Sequence, residues 1–168
     1  LISGPVQLPA PRGVRLTPVV STMDLYQAML SLCQEQDVII QAAAPADYRM
    51  ETVHEQKLKK QGGEKLTLTL VENPDVAKAV GERKRAGQTL VGFAAETQHV
   101  LVNAQKKLEN KRLDLIVAND VTAPGAGFGV DTNIVTLITA NGETALPQMS
   151  KAEVAERLLD AVMTLRKP

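Results

Sequence analysis

Thr89-Leu90-Val91-Gly92-Phe93-Ala94-Ala95 and Asp114-Leu115-Ile116-Val117-Ala118 decide the fold, because each is an almost unbroken apolar run. A strand with one wet face alternates apolar and polar residues, whereas a strand covered on both faces does not. Between the two runs, Thr97 to about Arg112 places Val100, Ala104 and Leu108 at four-residue spacing, one face of a helix. A buried strand, a helix and a second buried strand make a crossover unit, which predicts a parallel pair.

The pattern extends upstream. Val38-Ile39-Ile40 followed by alanines reads as a further strand covered on both faces. Asn73-Pro74 predicts a helix start, with Asn as N-cap, Pro at the first helical position, Asp75 in the first turn and Gly87 at the close. Lys65 to Val71 alternates Leu66, Leu68 and Leu70 with Lys and Thr, a half-exposed strand. Ser21 or Thr22 caps a helix whose apolar face is Leu25, Met29, Leu32 and Cys33, and Gly13 to Val20 precedes it as a short strand.

Downstream, Asn119 to Asp131 is a loop rich in Gly and Pro. Asn133 to Thr139, a turn at Asn141-Gly142, and Thr144 to Met149 predict a hairpin. Ser150-Lys-Ala-Glu153 is a capping box that opens a last helix to about Arg166. The expected architecture is α/β: a doubly wound, Rossmann-like, mostly parallel sheet with a C-terminal antiparallel hairpin. Residues 1–168 read as a single domain.

Composition narrows the function classes. The 168 residues are 44% apolar and 23% charged, the balance of a globular chain able to bury a core. Nineteen basic and nineteen acidic side chains cancel, so no global field draws in nucleic acid or an anionic membrane. The longest apolar run, Val38 to Ala46, is broken by Gln41 and falls far short of the ~20 residues a membrane span needs. Cys33 is the single cysteine, which excludes an internal disulfide framework and fits a reducing cytoplasm. Two histidines with that one thiol do not build a standard zinc site. The opening Leu1-Ile2-Ser3-Gly4-Pro5 has no features of a signal peptide and reads as the tail of a strand entering a loop, so the chain is expected to begin mid-domain.

In folds of this kind ligands bind outside the carboxyl ends of the parallel strands, which selects four stretches. Ala42-Ala43-Ala44-Pro45-Ala46-Asp47-Tyr48 follows a strand with small side chains and one carboxylate. Lys57-Leu-Lys-Lys60 before Gln61-Gly62-Gly63 could clamp a polyphosphate. Glu72-Asn73-Pro74-Asp75-Val76 sits where a helix start offers free N–H groups. Gly92-Phe93-Ala94-Ala95-Glu96-Thr97 pairs an aromatic at a strand end with Lys107 and Lys111, four apart on one helix face. Taken singly, each stretch is equally explained by tight packing, solvated charge or plain capping.

Other signals carry less. Gly125-Ala-Gly127-Phe-Gly129 opens no helix and so fails the context of a dinucleotide fingerprint, and no P-loop occurs. Cys33 falls on the core face of its helix, His54 and His99 read as surface residues, and no Ser-His-Asp arrangement can be argued.

The ordered set is more specific than its parts. Ala-Ala-x-Ala-Asp-Tyr, then Lys-x-Lys-Lys, Asn-Pro-Asp, Gly-Phe-Ala-Ala-Glu-Thr, and Lys-x-x-x-Lys-x-x-Asp-x-Ile-x-Ala-Asn-Asp closely resembles bacterial phosphopantothenate–cysteine ligase, nearly end to end. The family is usually the C-terminal half of a bifunctional coenzyme A biosynthesis protein, behind a flavin-dependent decarboxylase. The resemblance implies CTP-dependent ligation of L-cysteine to 4′-phosphopantothenate through an acyl-cytidylate. It implies Mg2+ with the CTP, FMN only on the upstream decarboxylase, a homodimer or higher assembly, and a cytoplasmic location. It further implies that Gln41, Ala42 and Ala43 present backbone to the cytosine and that Asp47 holds the ribose side. Lys57 would be the critical phosphate-neutralising lysine. Asn73, Pro74, Asp75 and Val76 would line the nucleotide, Phe93 would pack against it, and Lys107 and Lys111 would grip phosphates.

Two departures stand out. Pro45 replaces a commoner Val or Ala and removes an N–H. The family's Gly-Gly-Thr strand and loop, with its Asn and Arg for the acyl intermediate, would precede Leu1, so the resemblance implies a CTP-binding ligase domain incomplete at its N-terminus. Two rival readings are a nucleotide-binding Rossmann-like module without catalysis and an NAD(P)-dependent oxidoreductase. The second predicts a Gly-rich turn after the first strand, which this sequence does not show.

Overall fold

A computed structural model of the chain describes residues 1–59, 62–63, 65–127 and 129–167. Lys60 and Gln61 of the basic stretch, and Phe128 of the glycine-rich one, lie outside the described residues. The chain divides into two compact units, one of residues 1–28 and 45–75, the other of residues 29–44 and 76–168.

The larger unit is built on five strands: β3 (Val38–Gln41), β6 (Thr89–Glu96), β7 (Leu115–Asp120), β8 (Thr132–Thr139) and β9 (Gly142–Ser150), hydrogen-bonded in that order. β3, β6 and β7 run parallel, and β8 and β9 add an antiparallel hairpin at one side. The α/β class and the C-terminal hairpin are therefore as expected. The reason is visible in the burial: the first four residues of β6 and of β7 are all buried, as their unbroken apolar runs require. β3 departs from the expectation of cover on both faces. It is an edge strand in which Ile39 is buried and Ile40 is 40% exposed.

Helices lie on both faces of this sheet. Val91, Leu115, Val117, Val135 and Leu137 share one core cluster with Val154, Leu158 and Val162 of α4 (Lys151–Leu165). Strand alternation turns Leu90, Ile116 and Ile138 to the opposite face, and they are buried as well. α3 (Val100–Asn110) packs on β6, β7 and β8, with Ala104 and Leu108 buried. It starts three residues later than the sequence suggests, because His99 takes a left-handed conformation with φ of 50° at the N-cap. α4 begins where its capping box predicts: the Ser150 hydroxyl accepts from Glu153 N at 3.2 Å, and Glu153 Oε2 accepts from Ser150 N at 2.8 Å. Hydrogen bonds from the Ser150 side chain and backbone hold the Glu153 carboxyl below its ordinary range.

α2 (Val76–Arg83) presses its Gly81 against the end of α3, where an added Cβ would lie 2.0 Å from the Lys111 carbonyl oxygen. It ends at Arg83, short of Gly87, which instead takes φ of 77° in the turn into β6. Lys84 and Arg166 tie this end of the sheet together. The Lys84 ammonium sits 2.7 Å from Asp114 Oδ1, and Arg166 donates to the carbonyls of Asp37 and Gly87 at 2.9 and 2.8 Å.

The smaller unit holds two separate strand pairs. β1 (Ile2–Ser3) and β2 (Thr17–Pro18) are parallel, and β4 (Tyr48–Met50) and β5 (Leu70–Glu72) are antiparallel. The predicted strands at Gly13–Val20 and Lys65–Val71 shrink to two and three residues. Leu66, Leu68 and Leu70 are all more than half exposed, so their alternation meets no covering face in this unit. α1 (Thr22–Leu32) is capped by Ser21, whose hydroxyl accepts from Asp24 N at 3.1 Å while Asp24 Oδ2 accepts from Ser21 N at 2.8 Å.

Candidate functional site

The carboxyl ends of β3, β6 and β7 bring together part of what the sequence singled out. Gln41 closes β3 opposite Gly92 of β6, and Ala42 and Ala43 continue from it with exposed side chains. Gln41 Oε1 is buried with no hydrogen-bond partner. Further along β6, Phe93 is 39% exposed and Ala95 is exposed, so the strand that is core at its start becomes surface at its end. Glu96 ends the strand half-buried.

Lys107 reaches back from α3 to Glu96, with Nζ 2.6 Å from Oε1, and Asn103 Nδ2 donates to Glu96 Oε2 at 3.2 Å. The expected phosphate-gripping ammonium is thus held at the carboxyl end of β6 by a carboxylate to which the sequence assigned no role. Lys111 stands one helical turn further on, just past the end of α3, where its N–H caps the helix by donating to Lys107 O. Its main chain is the one that Gly81 packs against.

β7 ends in Asn119 and Asp120, opposite Ala95 and Glu96 of β6. Asp120 Oδ1 accepts from the Thr122 hydroxyl at 2.6 Å and from Thr122 N at 2.9 Å, and these bonds, the hydroxyl's first, hold its carboxyl below the ordinary range. Asn119 Oδ1 is buried with no partner. Asn119 stands in the Ala-Asn-Asp end of the last motif, a carboxamide placed directly after four buried apolar residues, with no role implied for it by the resemblance.

In the smaller unit, Asp47 and Asn73 are brought together by the β4–β5 pairing. Asn73 N donates to Asp47 O at 2.8 Å, Asn73 Nδ2 donates to Ala46 O at 2.8 Å, and Asn73 Oδ1 accepts from Arg49 Nη1 at 3.3 Å. This corrects the expected N-cap. The Asn73 side chain serves the strand pair, and α2 begins only at Val76, directly after Pro74-Asp75. Asp47 is exposed, and Lys57 is exposed in an irregular stretch with Lys59. Gly62 and Gly63 there adopt φ of 51° and 93°, a region that favours glycine. In the larger unit Val76 is 1% exposed and belongs to the core, so the stretch assigned to the nucleotide ends on a buried residue.

Among the described residues no group of three or more His, Cys, Asp or Glu is placed to hold a metal ion, and no helix is long and apolar enough to cross a membrane.

The coenzyme A biosynthesis bifunctional protein CoaBC of Bacillus subtilis is 49% identical over 169 residues, which cover 99% of this chain. The CoaBC protein of Vibrio vulnificus is 44% identical over 98% of the chain. This chain spans 41% of the length of each of these relatives. A crystal structure of the C-terminal domain of CoaBC superposes with a TM-score of 0.79 at 36% identity, covering 98% of this chain and 72% of that one. Residues 1–165 match the family described as the DNA/pantothenate metabolism flavoprotein C-terminal domain, and the chain belongs to that family.

Proposed function

We propose that this chain is the nucleotide-binding part of a ligase that joins L-cysteine to 4′-phosphopantothenate at the expense of CTP. The observation that carries the reading is the 49% identity to a coenzyme A biosynthesis protein across almost the whole chain, with the five motifs in order. On this reading the substrate carboxylate attacks the α-phosphate of CTP, giving an acyl-cytidylate and pyrophosphate. The amine of cysteine then attacks the acyl carbon, and CMP leaves as the amide forms. Such chemistry asks for positioned cations and oriented donors more than for a nucleophilic side chain. The exposed Lys57, and Lys107 held on Glu96, are groups of that kind.

The other roles follow the resemblance. Gln41, Ala42 and Ala43 offer backbone to the base, Asp47 the ribose side, and Asn73 to Val76 line the nucleotide. Phe93 supplies an apolar surface and Lys111 a second cation. Mg2+ is proposed to arrive with the triphosphate. The described residues include no group of three or more His, Cys, Asp or Glu to cage it, so the triphosphate itself would supply ligands to the metal. The working protein is proposed to be a cytoplasmic homodimer or higher assembly with FMN confined to the decarboxylase region.

Calorimetric titration of CTP, ATP and NADH tests the reading. CTP is expected to bind best, because backbone groups fitted to a pyrimidine edge exclude the bulk of a purine. Equal or tighter ATP binding would reject the CTP assignment, and selective NADH binding would move the chain to the oxidoreductases. In the intact protein Lys57→Gln is expected to lose about 2–4 kcal/mol of transition-state stabilisation with unchanged circular dichroism, by analogy with the loss of one oxyanion donor.

A further inference from the structure

The two ends of the parallel strands in the larger unit differ in one respect that bears on ligand recognition. At the amino end, a cavity of about 580 Å³ is lined by Gln88, Thr89, Asp114 and Arg166 among others. Its polar groups are partnered: Asp114 accepts from Lys84 and from Leu90 N, and Arg166 and Gln88 donate to main-chain carbonyls. At the carboxyl end, Gln41 Oε1 and Asn119 Oδ1 are buried and unpartnered, and they are the two such side-chain atoms among the described residues. Buried polar groups are nearly always hydrogen-bonded, so an exception calls for a cause. Both exceptions fall at strand carboxyl ends, where ligands bind in sheets of this class. Gln41 already belongs to the stretch assigned to the nucleotide. Asn119 stands at the end of the motif that begins with Lys107 and Lys111, but has no role of its own.

We propose that Asn119 is a specificity-determining residue, whose carboxamide oxygen takes a hydrogen bond from a donor on the bound nucleoside. Its cross-strand partner is Ala95, whose side chain is small and exposed, and Phe93 lies two residues earlier on the same strand. Alternation along the strands puts Phe93, Ala95 and Asn119 on one face. A flat group laid over Phe93 and Ala95 meets the Asn119 carboxamide at its edge. The missing partner is a donor, which excludes the phosphates and leaves the exocyclic amine of the base or a ribose hydroxyl. This inference rests on the nucleotide reading proposed above.

The test measures CTP, UTP, deoxy-CTP and ATP affinities of the intact protein that carries this chain, as wild type and as Asn119→Leu. Leucine nearly preserves the shape and removes the unpartnered oxygen, so the melting temperature is expected to hold or rise. CTP affinity is expected to fall at least tenfold. If the donor is the base amine, the preference for CTP over UTP collapses in the variant. If it is the ribose hydroxyl, the preference for CTP over deoxy-CTP collapses. A variant with a lowered melting temperature, or with both preferences intact, overturns the assignment. A wild type that does not prefer CTP over ATP overturns the functional reading itself, and this inference with it.

Discussion

The two units of this chain were built by the same kinds of side chain and came out differently. In the unit of residues 29–44 and 76–168, Leu90, Leu115 and Val80 are completely buried. In the unit of residues 1–28 and 45–75, Leu8, Val20, Val53 and Leu66 are each at least 66% exposed. Apolar content alone therefore does not make a core. A strand must also have neighbours: β6 lies between β3 and β7, whereas among the described residues β5 pairs with β4 alone. With strands on both sides and helices above and below, each apolar residue is covered. A lone pair of strands leaves its faces open.

The contrast can be broken by substitution, starting where the effect is largest. Leu115→Ala, at a site fully buried between strands and α4, is expected to cost about 2–5 kcal/mol in urea unfolding. A cost below about 1 kcal/mol would mean that the larger unit is not a packed core at that point. Next comes Gly81→Ala, whose new methyl meets the Lys111 carbonyl, a main-chain atom that cannot rotate away. Overpacking of this kind costs about 1–3 kcal/mol. Melting of the variant near the wild-type temperature would show that α2 and α3 slide apart easily.

Ser150→Ala removes one half of the α4 capping box, for an expected loss of about 1 kcal/mol. The same cap has a pH signature. The Glu153 carboxyl is depressed by its bonds to Ser150, so its contribution is present at neutral pH and is lost as pH falls through the folded value. Carboxyl NMR titration should find Glu153 below an ordinary glutamate, and Ser150→Ala should raise it. No change between the two proteins would dissociate the depression from the cap. The smallest effect is expected in the other unit, where Leu66→Ala and Leu68→Ala should each stay within about 0.5 kcal/mol of wild type. A loss of 2 kcal/mol at either would show that these side chains are covered in solution, and would erase the contrast.

Much of the larger unit was legible because its signals are local. The unbroken runs at Leu90–Val91 and Leu115–Ala118, the hairpin and the Ser150–Glu153 box each depend on residues close in sequence. Boundaries were less legible. The start of α3 moved because His99 took a left-handed conformation, and the start of α2 moved because Asn73 found partners 24 and 27 positions back. The candidate site divided in the same way. Gln41 was visible as the end of an apolar run and closes β3, whereas Phe93, expected at a strand end, lies within β6, which continues to Glu96.

Sequence alone determined the order of strands and helices in the larger unit, the parallel character of β3, β6 and β7, and the place where the last helix begins. These follow from periodicity and capping, which act over a few residues. Tertiary structure alone decided that Lys107 is held by Glu96, that Asn73 braces β4 against β5, and that Leu66 and Leu68 stay exposed. It also decided that Asn119 is left with a buried oxygen and no donor. Each of these depends on which distant residue arrives within about 3 Å, a hydrogen-bonding distance that only the folded backbone sets.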